Sequence, residues 1–408
     1  MTGKELVHAV LFLLAVAVAW IRSSLPDFRE EDVYFRVKIR GDVLSEGART
    51  VTRVVIEECE IDELEGRKGT LVVYGELLRH DRDLIFTGDV RVRDNRVFIY
   101  ASGRDVEYAG SGEGKARAFL MRRYVEASRD ADVVPLGLSF LFGEPRDLLP
   151  SSVQRSFLET GLVHLLVISG LHVGTIALIL SRMLPYFWGL KASLAGTVLY
   201  TVLVVPREPP VLRATLMIVL VLLCHLSFRQ PNYVAILLFS GTVILLLFPH
   251  YIFSYSFWLS FLATAYIILS LRDFRRGKVS GAVLVSISAF TGVAPLISTF
   301  SYISPLSVLL TPLLAPLVFL YSLFGVLSLI TLMGFPPFVD LFNLLGGLFV
   351  FLVGLASDLS FQVYPETGVY EALLLSAGGL VGLYFLEGRA RLIPLAVVNG
   401  WLMVRSAV

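Results

Sequence analysis

Charge and cysteine are what this sequence has least of. Only 17% of its 408 residues are Asp, Glu, Lys or Arg, against about a quarter in ordinary soluble domains. Formal net charge is +1, so no overall basic field points to nucleic acid. Two cysteines, Cys59 and Cys224, lie in regions of opposite character, which argues against a disulfide-built scaffold. No Cys/His spacing suits a metal, and no Gly-x-x-x-x-Gly-Lys-Ser/Thr loop offers a phosphate cradle. The sequence therefore gives no reason to expect a metal, a cofactor or a catalytic residue, and the chain reads as a non-enzyme.

Apolar residues are abundant instead, at 55%, with mean hydropathy +0.73. They are unevenly spread. Residues 22–133 hold 43 of the charged side chains in 112 positions, and residues 134–408 hold 24 in 275. The first block reads as soluble and the second as lipid-embedded. Four regions are expected: an N-terminal anchor or signal peptide (1–22), a β-domain (23–115), a linker with interfacial amphipathic helices (116–160) and a polytopic membrane domain (161–408). Leu6 to Ile21 is apolar after Lys4, and Ala17, Val18 and Ala19 resemble a peptidase site, so retained anchor and cleaved leader are both open.

In the soluble block Phe35, Val37 and Ile39 alternate with Arg36, Lys38 and Arg40, the period of a strand. Similar runs at 51–56, 69–78, 84–92 and 97–101 suggest a five-stranded barrel of OB type. Asp94, Asn95 and Arg96 mark a hairpin. Arg36, Lys38 and Arg40 share one strand face, and Arg91 and Arg93 share another. If those strands are neighbours, they form a basic stripe able to follow a phosphate backbone. Tyr34, Tyr74 and Tyr100 could stack on bases. A solvated, acid-balanced face and ordinary strand packing explain the same residues.

Past Val134, about ten apolar segments, mostly 16–20 residues long, are each near one bilayer width. With the N-terminal segment they suggest a polytopic α-helical membrane protein of 10–11 spans. Pro295, Pro305, Pro312 and Pro316 are expected to break or kink helices, and the stretch 305–332 to be tilted or re-entrant. Arg272, Arg275, Arg276 and Lys278 form the densest basic loop and are read as cytoplasmic. The β-domain then falls on the extracytoplasmic side.

Polar groups inside apolar spans are costly and mark function or interhelical glue. The densest set runs from His164 through Ser169, Gly170 and His172 to Gly174, after a capping-box signal at Ser151 and Gln154. Gly170 and Gly174 are spaced to admit a second helix closely. Arg213 and Ser260 are further polar points. Two readings stand for these side chains: the lining of a hydrated path, or hydrogen bonds that hold helices together. His225 and Asp340 read as satisfied interior groups.

The run from Glu159 to Gly174 resembles the "GLxHLLAISGLHVG" signature of the ComEC-type competence family. Phe140 to Glu144 resembles that family's "LLLGE", Pro210 to Ala214 its "SVLRA", and Phe257 to Ala263 its "FQLSFLA", with Trp258 where Gln is usual. Ala294, Pro295 and Leu296 and the 305–319 stretch resemble its later spans. The resemblance covers roughly residues 136–332. It implies an inner-membrane channel passing single-stranded DNA during natural transformation, with pore-lining roles for His164, Ser169, Gly170, His172, Gly174, Arg213 and Ser260. It further implies separate partners: a nuclease, a DNA receptor and a cytoplasmic motor ATPase. The metal-binding cluster of the nuclease domain that many members carry is not in this sequence. Two other classes stay open: a small-solute transporter with a histidine proton relay, and a membrane scaffold.

Overall fold

The computed structural model describes residues 3–23, 28–39, 44–46, 49–74, 83–93, 96–102, 107–108, 115–128, 133–143, 149–166, 170–204, 208–272, 278–365 and 367–407. They form two compact units. One is Leu14–Lys115 with Leu245–Phe253; the other is Met1–Leu13, Ala116–Ile244 and Ser254–Val408.

The smaller unit is built on seven strands: β1 (Phe28–Ile39), β2 (Leu44–Glu46), β3 (Arg49–Cys59), β4 (Lys68–Tyr74), β5 (Asp83–Arg93), β6 (Arg96–Ser102) and β7 (Glu107–Tyr108). β1 pairs with both β3 and β5, β3 with β4, β4 with β6 in parallel, and β6 with β5. Those five strands close on themselves, leaving β2 and β7 as short additions. Closure removes the open edges that would otherwise invite pairing with other chains. Strict alternation fills the interior: Phe35, Val37, Ile56, Leu71, Val90 and Ile99 are fully buried. β-bulges at Arg36/Val37 and between Glu30 and Val33 bend β1 between its two partners.

This unit also takes in the 3₁₀ turn Pro249–Phe253. Gly66 stands at φ +74°, and a Cβ there would meet His250 Cε1 at 3.3 Å. Trp20 lies against Phe253 with ring centroids 5.1 Å apart. Burial, with the charges of Arg67 and Lys68 beside it, holds the His250 pKa down to about 4.

The larger unit is helical. Its helices are α1 (Gly3–Ser23, only its start in this unit), α2 (Lys115–Ala127), α3 (Val134–Phe142), α4 (Ser151–Glu159), α5 (Val163–Leu166), α6 (Gly170–Met183), α7 (Tyr186–Leu203), α8 (Pro209–Leu226), α9 (Tyr233–Leu247), α10 (Tyr255–Leu271), α11 (Lys278–Ile297), α12 (Ser307–Ile330), α13 (Pro336–Ser357), α14 (Val369–Phe385) and α15 (Leu392–Ala407). Among the described residues, four stretches are long and apolar enough to cross a membrane: Glu5–Ser23, Pro209–Leu226, Ser307–Ile330 and Pro336–Ser357. Five more apolar helices have 10–17 residues. The chain is thus a mostly helical membrane protein with an N-terminal β-domain.

Two local expectations need correction. α4 starts where expected, but Pro150 is its N-cap and no side chain caps it; Gln154 Nε2 donates to the Leu149 carbonyl instead. The apolar stretch 162–180 holds two described helical segments, α5 ending at Leu166 and α6 beginning at Gly170, with 167–169 outside the described residues. The prolines do not all break helices, since α11 continues through Pro295 and α12 through Pro312 and Pro316. Pro312 lacks the N–H that would bond the Val308 carbonyl, and the Ser286 hydroxyl takes that carbonyl at 2.8 Å. Pro305 alone precedes a helix start.

The His250 seat predicts a pH dependence. An unfolded His titrates near 6.5, so the folded form, held neutral, has its full stability above about pH 6.5. That contribution is lost as pH falls toward 4. Thermal unfolding of the full chain should show the decline, and His250→Ala should flatten it in that window. Gly66→Ala should cost about 1–2 kcal/mol from left-handed backbone alone.

Candidate functional site

The helices of the larger unit pack around separate cores. In the first group, α2–α8, α12 and α13 surround a cluster including Tyr124, Phe140, Phe157, Tyr321, Phe342 and Phe349. Tyr321 stacks on Phe342 at 4.3 Å, and Tyr124 Oη donates to Asn343 Oδ1 at 2.8 Å. Gly346 and Gly325 make room for Tyr321 and Phe342. In the second group, α10, α11, α14 and α15 close around Tyr266, which donates to the Ser376 carbonyl at 3.0 Å. Gly292 and Gly379 admit its ring. Arg391, 3% exposed, donates to the Leu386 and Leu269 carbonyls at 2.7 and 3.1 Å and secures the same group.

α8 meets α10 where these groups adjoin. There Arg213 Nη1 donates to the Ser260 carbonyl at 2.8 Å, which also accepts from Thr264 Oγ1 at 3.0 Å. Arg213 Nε and Ser260 Oγ are both buried without a hydrogen-bond partner. None of the ion pairs among the described residues includes Arg213. Gly170, at the start of α6, leaves the adjoining space: a Cβ there would stand 3.4 Å from Arg213 Nη2 and 3.1 Å from Ala214 Cβ. The structure therefore joins Gly170, Arg213 and Ser260 at one polar contact, where Arg213 has no carboxylate partner among the described residues and donors are to spare.

The other residues singled out from the sequence go elsewhere. His172 is 1% exposed and meets Phe140 edge-on at 4.1 Å, inside the aromatic core. His164 is exposed, its Nδ1 3.1 Å from the Gly161 carbonyl. Gly174 has no neighbour within 4 Å of a Cβ, so only Gly170 of that pair is approached closely. Ser169 lies outside the described residues.

On the barrel, β1 and β5 are neighbours, yet the expected stripe does not form. Arg36 pairs with Ile85 and Lys38 with Asp83, while Arg91 pairs with Arg29. Six residues separate Ile85 from Arg91, about 20 Å along a strand. Arg36 is moreover 3.9 and 3.5 Å from the Glu57 and Glu58 carboxylates. The Lys38 side chain and Arg40 lie outside the described residues. A different surface assembles instead. Arg93 pairs with Arg96, Arg91 with Phe98 and Asp89 with Tyr100 across β5 and β6. Thr70 pairs with Phe98 and Val72 with Tyr100 across β4 and β6. Arg91, Arg93, Arg96, Phe98 and Tyr100 all stand on the outward side of the barrel, with exposed Lys68 and Tyr74 on β4. Arg29, Arg96 and Phe98 were missed because cross-strand register is not written in either strand alone. The buried arginines Arg117 and Arg391 were also missed, because each stands among other charged residues in the sequence.

A closed β-barrel and a bundle of apolar helices define the class: a helical membrane protein with an N-terminal β-domain. The Competence protein family matches residues 140–390, and the chain belongs to that family, that of ComEC-type competence proteins. An uncharacterized protein of Aquifex aeolicus is 46% identical over 402 residues, spanning 98% of this chain and 97% of that one. The ComE operon protein 3 of Bacillus subtilis is 34% identical over 183 residues, 41% of this chain but 23% of that protein. No solved structure matches the chain.

A buried cation with no counter-charge is a net cost to folding. Arg213→Met should therefore leave the melting temperature unchanged or raise it. Tyr124→Phe, which strips Asn343 of a buried partner, should lower stability by about 1 kcal/mol. Thermal unfolding of both variants in one detergent checks the contrast.

Proposed function

We propose that this protein conducts single-stranded DNA across the cytoplasmic membrane during natural transformation. Membership of the competence family supports a role in DNA uptake. The observation that carries the finer reading is the Arg213 contact. A part-buried guanidinium without a carboxylate among the described residues, with Nε and a nearby hydroxyl unspent, suits a phosphodiester that arrives and leaves. The positive-inside pattern around Arg272 supports 10–11 spans with the β-domain outside, where DNA would first be met.

The strand order β1-β3-β4-β6-β5-β1, with one parallel pair, supports an OB-type barrel. In this reading its β4–β6–β5 face is the external DNA contact. Phe98, Tyr100 and Tyr74 offer stacking surfaces, each worth about 1–3 kcal/mol per base. Arg91, Arg93, Arg96 and Lys68 supply charge for the backbone. The chain acts as a conduit without catalysis. Strand degradation, DNA delivery and driving force belong to a separate nuclease, receptor and motor.

Two measurements test this. A charge-assisted bond to phosphate is worth about 1.5–3 kcal/mol, so Arg213→Met should lower uptake of nuclease-protected DNA about 10- to 100-fold at normal protein levels. Arg213→Lys should retain part of it. Wild-type uptake in Arg213→Met defeats the assignment. On the barrel, Arg91→Ala with Arg93→Ala should weaken single-stranded DNA binding by the full chain in nanodiscs and flatten its salt dependence by about two phosphates. Arg36→Ala should change neither.

A further inference from the structure

Of the residues expected along the path, the structure brings Gly170, Arg213 and Ser260 together and sets His172 in the aromatic core. His172 is packed against Phe140, and Phe140 against Tyr321 at 4.2 Å. Interiors of this density do not part to admit a polymer. The polar contact of Arg213 with Ser260 lies between the two helix groups.

The seam between them is narrow in kind. Its main contacts are α8 with α10 and α11 with α12. Each is bridged by a hydrogen bond to a helix carbonyl: Arg213 to Ser260 on one side, and Ser286 to the carbonyl left spare by Pro312 on the other. Within each group, in contrast, aromatic rings are fitted to glycines, contacts that cannot slide without overlap. The chain passes between the groups at 227–232, 298–306 and 358–368. The last two crossings are tied together by a two-bond antiparallel bridge, Ile303 to Val363, both bonds 2.9 Å. That is the anatomy of two stiff bodies joined at a hinge, with a weakly latched polar face between them.

We infer that the path opens along this seam, by separation of α8 and α12 from α10 and α11. The Arg213–Ser260 bond is its latch, and an arriving phosphodiester takes the place of the Ser260 carbonyl on the guanidinium. The inference rests on the DNA-conduit reading and locates its moving part. Arg213 thereby has two states with one charge: bonded to a backbone carbonyl when closed, and to phosphate when occupied. Ser260 Oγ and Arg213 Nε, idle in the closed state, become the extra donors of the open one.

The experiment uses the full chain with Cys59→Ala and Cys224→Ala. Ser286→Cys and Val308→Cys are joined by a short, reducible bis-thiosulfonate across the seam. Ser193→Cys and Ala177→Cys, where a hydroxyl likewise meets a carbonyl at 2.6 Å, are joined within the first group. Bridging the seam should lower DNA uptake about tenfold or more, with recovery on reduction, while the bridge within one group leaves it nearly unchanged. A second readout does not depend on bridging: a hydrophilic maleimide should label Ser260→Cys faster when single-stranded DNA is engaged. Full uptake through a seam bridged to completion, as judged by mass, overturns the inference and leaves the conduit reading standing. So does labelling of Ser260→Cys that DNA does not change. A cysteine-free parent that admits no DNA at normal protein levels defeats the conduit reading, and this inference with it.

Discussion

A guanidinium inside a bundle of apolar helices, with no carboxylate to meet it among the described residues, constrains the side chains around Arg213. Burying a charge costs several kcal/mol even after relaxation, and hydrogen bonds return only part of that. The surroundings show how the remainder is limited. Gly170 keeps side-chain bulk away from Nη2, Ser260 turns a carbonyl toward Nη1, and Thr264 shares that carbonyl without competing for charge. These residues sit on α6, α8 and α10, so the cation ties α10 to two helices that belong to a different core. A fully apolar seam would hold those helices more firmly. Its retention of a charge is a loss of cohesion at the interface where cohesion would oppose movement.

Stiffness elsewhere gives that weakness its meaning. Tyr321, Phe342 and Phe140 lock α3, α12 and α13 as Tyr266 locks α10, α11 and α14. A close-packed core transmits displacement instead of absorbing it. Strain applied at one end of either group therefore appears at its boundary. His172 belongs to one of these rigid bodies. A histidine in a signature-like segment is thus a packing element here, with its ring edge against a phenylalanine.

The division between legible and illegible follows the range of the forces. The apolar runs behind α7 to α11 and α13 to α15 were readable because each span is set by its own composition, and helix ends fall within a few residues of the expected limits. The strands were readable because alternation is local. What failed was what one segment alone does not determine. The basic stripe required β1 and β5 to pair in a particular register, and the actual register sets Arg36 and Arg91 some six residues apart. The breaking of α12 at Pro312 required its freed carbonyl to stay unsatisfied, and Ser286, 22 residues away in sequence, satisfies it. Arg213 was legible as a lone charge, but its lack of a counter-ion was a fact about every other helix.

The first helix shows the same rule at the longest range. As a sequence, the segment ending at Ala17–Ala19 serves equally as leader or anchor. In the fold, Glu5 is 3% exposed and accepts from Asn232 Nδ2 at 3.2 Å and Tyr384 Oη at 2.8 Å, partners 227 and 379 residues away. Phe12 stacks on Phe261 at 4.9 Å and fills the space that Gly241 leaves. A buried carboxylate needs such donors, and they in turn would be left unsatisfied without it. Glu5 makes α1 a structural member of the second helix group, because removing that helix would strip α9 and α14 of a shared acceptor and bare the ring of Phe261.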